Sequence, residues 1–158
     1  MLRTAGFASA LLLLACGGPQ GSNTEFLSAL SAVNEIPTNP STATATATYS
    51  VTGSTVSYAI SYTGLSGAPT QSHIHVGTET VGAGGVVVPF TGLPNAATGN
   101  FSGTFTATDV RAGTASGVTI KAGDLDSLLT AMKNGQVYTN IHTTARPQGE
   151  IRGQILPK

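Results

Sequence analysis

From Thr42 to Thr52 the chain reads TATATATYSVT, with Ala43, Ala45, Ala47, Tyr49 and Val51 on one side and hydroxyl-bearing residues on the other. A period of two is the mark of a half-buried strand, because successive side chains of an extended backbone point to opposite faces. Gly53-Ser54 then turns the chain, and Val56, Tyr58, Ile60 and Tyr62 repeat the pattern over Thr55 to Tyr62. The two runs predict an antiparallel hairpin.

Further strands are predicted over Phe26 to Val33, Gln71 to Val76, Val86 to Phe90, Asn100 to Thr106, Gln136 to His142 and Gly149 to Leu156. The composition agrees: 20 Gly, 8 Pro and 9% charged residues leave little for long helices and much for strands and turns. One stretch differs. After Gly123, Leu125, Leu128, Leu129 and Met132 recur at helical spacing, with Asp124 placed to cap the start and Gly135 to end the element. The chain therefore reads as all-β, an antiparallel sandwich or closed barrel of about eight strands with one short helix between Asp124 and Asn134 packed on the core.

Seven basic and seven acidic side chains in 158 residues give no net charge with which to grip phosphate backbones, so nucleic acid is not an expected partner. The address lies at the start. Arg3 supplies a positive n-region, and the Leu- and Ala-rich run Ala8 to Ala15 is far shorter than the roughly 20 residues of a spanning helix. It ends Leu13-Leu14-Ala15-Cys16, at the sole cysteine of the chain, in a pattern that resembles the bacterial lipobox. That resemblance implies a signal peptide over residues 1–15 and a diacylated Cys16 as the mature N-terminus. Residues 16–25 would then be a lipid-anchored tether and 26–158 the folded domain. The expected location is the bacterial cell envelope, with the membrane as partner through the lipid. Because Gly17 is not an acidic residue, the outer membrane is favoured. A lone cysteine at that place forms no internal disulfide, so stability must come from packing.

Few residues could carry chemistry. His73-Ile74-His75 lies in a predicted strand, so both imidazoles project from one face, about 6.5–7 Å apart along the chain. His142 ends VYTNIH, where it shares a face with Tyr138 and Asn140 while Ile141 faces the core. If those strands are neighbours, His73, His75 and His142 could bind zinc or copper and leave a position open. Glu150 and Arg152 alternate with Ile151, which predicts both on the histidine face. There, Glu150, Arg152 and Asn140 could orient the ligands. The alternative is structural, with the histidines hydrogen-bonded to Asn140, Glu150 and backbone groups so as to lock a loop. Gly82 to Gly85 is glycine-rich, but no helix follows it, so it reads as a hairpin loop and not a phosphate cradle. No nucleophile elbow or paired carboxylates are present, and no enzyme is expected.

The order AVNEIP (Ala32 to Pro37), HIHVG (His73 to Gly77), GGVVVPF (Gly84 to Phe90) and VYTNIHTTARPQGEIRGQI (Val137 to Ile155) resembles the CHRD domain, named from repeats in animal chordin and found also in bacterial envelope proteins. The family pattern usually has a small residue where Gln148 stands. The resemblance implies an antiparallel β sandwich and imports no growth-factor antagonism, because the cysteine-rich modules beside such repeats are absent from this sequence. Three functions remain open. The first, asking least of the sequence, is a non-catalytic envelope lipoprotein presenting a β surface to an envelope or extracellular protein. The second is a copper or zinc module using the three histidines. The third is a redox metalloenzyme like copper-zinc superoxide dismutase, an analogy that rests on fold and the H-x-H spacing alone.

Overall fold

The alternating run becomes an interior strand of the sheet, paired on both edges. In the computed structural model, which describes residues 24–80 and 84–158, the strands are β1 (Thr24–Ser31), β2 (Thr44–Thr52), β3 (Thr55–Thr63), β4 (Pro69–Val76), β5 (Val86–Pro89) and β6 (Gly99–Phe105). They continue with β7 (Gly113–Ala115), β8 (Val118–Ile120), β9 (Val137–Thr143), β10 (Arg146–Gln154) and β11 (Leu156–Pro157), while α1 spans Leu125–Lys133 between β8 and β9. The signal segment and most of the tether assigned from sequence lie outside the described residues, as does the first half of the Gly82 to Gly85 loop.

The fold is all-β and antiparallel, as the sequence predicts. Nine of the strands form one sheet, in the order β5-β4-β9-β10-β1-β2-β3-β6 with β11 added to β1, while β7 and β8 pair as a separate hairpin. This eight-strand path curls until it nearly closes. The β2–β3 hairpin keeps its register from Thr44↔Thr63 to Thr52↔Thr55 around Gly53-Ser54, and Gly53 takes φ 58°, a left-handed conformation that glycine enters without steric cost. Inside, Ala45, Ala47, Tyr49, Val56, Ile60 and Tyr62 are buried with Phe26, Leu30, Ile74, Ile141 and Ile151. The Tyr49 hydroxyl meets Thr139 Oγ1 at 2.5 Å, joining opposite walls through the core. Where the path fails to close, aromatic packing fills the gap: Tyr58 of β3 lies 4.4 Å from Phe90 after β5 and 6.4 Å from Phe101 of β6, ring centre to ring centre.

The helix forms where the apolar spacing puts it. Asp124 caps it by accepting from the Ser127 amide at 2.9 Å and the Ser127 hydroxyl at 2.7 Å. Leu125, Leu128, Ala131 and Met132 are buried. Leu129 is only partly so, because the stripe tilts toward Ala131. Two elements depart from expectation. The first strand ends at Ser31, and a 3-10 turn over Ala32–Asn34 leaves Val33 74% exposed. The β7–β8 hairpin joins two three-residue strands, too short for alternation to reveal.

Candidate metal centre

The order β4-β9-β10 puts the residues singled out from sequence on adjacent strands. His73 stands opposite Asn140 and His75 opposite Tyr138, while His142 lies across from Gln71. Ile74 and Ile141 are fully buried, so the core takes the aliphatic face and all the histidines project from the other. That outer face is not open to water, since every residue of β9 is buried. Backbone carbonyls of Gly84, after β4, and of Pro147, early in β10, meet the imidazoles there.

The same two carbonyls fix the rings. His75 Nδ1 donates to the Gly84 carbonyl at 2.9 Å, and His142 Nδ1 donates to the Pro147 carbonyl at 3.0 Å. A proton held on Nδ1 by a carbonyl leaves Nε2 with a lone pair to give, which is how metal-binding histidines are commonly oriented. Ring centres are 5.2 Å apart for His73–His75, 5.2 Å for His73–His142 and 6.3 Å for His75–His142. One nitrogen from each ring lies within 4.8 Å of the other two. Tetrahedral zinc with Zn–N bonds of about 2.0–2.1 Å holds its nitrogens about 3.4 Å apart, a spacing inside the 4.8 Å limit within which these three lie.

Five buried side-chain polar atoms lack a hydrogen-bond partner among the described residues, and three of them lie in this cluster: His73 Nδ1, His75 Nε2 and Asn140 Oδ1. Buried polar atoms without partners are costly, so their concentration in one place is informative. Burial keeps the rings neutral. It pulls His73 down to about 4, with the neighbouring His75 and His142 acting the same way. Burial likewise lowers His75 and His142, partly offset by the Gly84 and Pro147 carbonyls. Three neutral imidazoles at pH 7 suit a borderline divalent cation.

Asn140 belongs to the cluster, its Nδ2 donating to His142 Nε2 at 2.7 Å. Arg152 belongs to its flank. The guanidinium carbon lies 4.0 Å from the centre of the Tyr138 ring, and that ring stacks on His75 at 5.1 Å with 5° between planes. Glu150 is the correction. Its carboxylate accepts from Ser41 Oγ (2.7 Å), Ser66 N (2.8 Å), Ser66 Oγ (2.6 Å) and Thr143 Oγ1 (2.6 Å), and none of these groups is an imidazole. The β9–β10 ladder breaks between Arg146 and Ile151. Extra residues in one strand shift its facing, so alternation counted back from Ile151 cannot place Glu150.

Sequence reasoning missed Glu35 and the cleft beside it. Glu35 is buried, with Oε1 unpartnered; burial pushes its carboxyl up to about 7 against the lowering pull of Arg152. The cleft, of about 660 Å³, is lined by Glu35 and Arg152 and also by Leu27, Val33, Ile36 and Leu156. The last four are the exposed large hydrophobic residues among those described. No periodicity announces this cleft, because Val33 and Ile36 sit in the irregular chain after β1.

The family model for the CHRD domain matches residues 26–155. No curated protein and no solved structure matches.

Proposed function

Since the chain belongs to the CHRD domain family, we propose that it is a non-catalytic binding module of the bacterial cell envelope and that it binds zinc or copper through His73, His75 and His142. The observation that carries the metal reading is the convergence of one nitrogen from each ring within 4.8 Å, two of the rings having a buried nitrogen without a partner. The protein should take up one equivalent of Zn²⁺ or Cu²⁺. His75→Ala should weaken that binding about 100-fold or more while the protein stays folded. Isothermal titration of both proteins, with circular dichroism as the check on folding, measures this. Wild-type protein that binds no more tightly than a surface histidine would overturn the reading, and His75→Ala would then register as a loss of stability alone.

Two further parts of the proposal rest on other observations. Grouping of the exposed Leu27, Val33, Ile36 and Leu156 around one cleft supports a protein partner from the envelope or outside it, since contiguous apolar surface marks interaction sites. The short apolar run ending at the sole cysteine supports a lipid anchor on Cys16, with the outer membrane favoured. The intact mass of the native protein should correspond to a chain that starts at Cys16 and carries acyl chains. A mature chain starting elsewhere, or an unmodified Cys16, would refute the anchor.

A further inference from the structure

We infer that Asn140 is the fourth ligand of the metal centre, holding the site with its amide nitrogen in the metal-free protein and turning its amide oxygen to the ion in the loaded one. This inference rests on the metal reading above and goes a step past it, from three ligands to four.

The argument is a count of donors and acceptors. His75 and His142 each spend their ring proton on a backbone carbonyl, so their Nε2 atoms can only accept. His73 Nδ1 has no partner, and neither has Asn140 Oδ1. Four acceptor-capable atoms thus gather beside one another, with the Asn140 amide nitrogen donating to one of them, His142 Nε2, at 2.7 Å. Asn140 is only 3% exposed, and it sits directly opposite His73 in the ladder. A buried amide that satisfies one acceptor with its nitrogen while leaving its own oxygen unpaired is poorly served.

A cation reverses that imbalance. A half-turn of the terminal amide exchanges Oδ1 with Nδ2 and leaves the plane of the group, and so its packing, nearly unchanged. The oxygen then faces the ring nitrogens. Three imidazole nitrogens and one carbonyl oxygen make the four-coordinate set that zinc prefers, with every ligand neutral. Asn140 thereby does two jobs: its N–H₂ keeps His142 oriented before metal arrives, and its C=O closes the shell afterwards.

The test uses the full chain and Zn²⁺, comparing wild type with Asn140→Ala and Asn140→Asp. Asn140→Ala should bind about 10–100-fold more weakly, and Asn140→Asp, which keeps an oxygen at the same place, should bind at least as tightly as wild type. On loading the wild type, the Asn140 side-chain amide resonances should shift as its protons leave His142, a readout that holds even if the alanine variant fails to fold. Unchanged or tighter binding by Asn140→Ala would overturn the inference and leave the three-histidine site standing, as would equal weakening in both variants or unmoved amide resonances. Wild-type protein that takes up no Zn²⁺ or Cu²⁺ would overturn both.

Discussion

The Glu150→Ala protein should melt about 10–20 °C below wild type, corresponding to a loss of about 3–5 kcal/mol. Glu150 is fully buried, and its carboxylate is the common acceptor for Ser41, Ser66 and Thr143. It ties β10 to the chain on either side of the β2–β3 hairpin. Truncation strands three hydroxyls and one amide around a cavity, and unsatisfied buried groups cost more than the same bonds contribute when made. The loss should depend on pH with a definite sign. Burial acts to raise the carboxyl's pKa, but the bonds from Ser66, Thr143 and Ser41 outweigh it and hold it below its ordinary value of 4.5. The unfolded chain therefore takes up the proton first as pH falls. This part of the stability is complete above the ordinary value and is lost as pH drops through the native one. Urea melts should show a constant gap between the two proteins from pH 8 to 6 that narrows below about pH 4.5. A gap that stayed constant to pH 3 would mean the carboxylate is not what holds these groups.

Gly153→Ala should be still more damaging, leaving the protein unfolded or insoluble. A Cβ at residue 153 would lie 2.2 Å from the Ala29 carbonyl oxygen, 2.6 Å from its carbon and 2.8 Å from Ser28 Oγ. The first two are backbone atoms of β1, which cannot turn aside. The same approach makes the bond from Ser28 Oγ to the Gly153 carbonyl at 2.7 Å, so the methyl would force apart the seam between β1 and β10. Overpacking a well-filled interior costs about 1–3 kcal/mol where side chains can give, and more where backbone must move. Gly67→Ala is the matched control, since nothing lies within 4 Å of a Cβ there. Equal melting temperatures for the two variants would show that the β1–β10 seam is looser than its geometry.

Strand content was legible because alternation survives wherever a strand has one apolar face, as in TATATATYSVT. The histidine cluster was legible for the same reason: Ile74 and Ile141 claim the core and so dictate where the imidazoles project. The same rule failed at Glu150, four residues past Arg146, because the ladder breaks there and parity carries no information across a bulge. From sequence Asn140 has only a supporting place, since the structure alone reveals that its oxygen has no partner. Glu35 stood inside AVNEIP without any sign of burial. The loop around it is irregular, and what covers it comes from distant chain: a Cβ on Gly149 would lie 2.6 Å from its Oε1.

The seam between β1 and its neighbours also sets the order of events in time. The first strand pairs with β10 at Ser31↔Arg152 and with β11 at Phe26↔Pro157 and Leu27↔Leu156, and Glu25 meets Lys158 at 2.8 Å. A growing chain, however long it waits, cannot complete this sheet before the final strands have been made. Until then β1 has an unpaired edge beside β2, and only local pieces such as the β2–β3 hairpin can form. Contacts between chain ends are the entropically dearest and the slowest to arrive. The sheet therefore locks only when β10 and β11 reach β1.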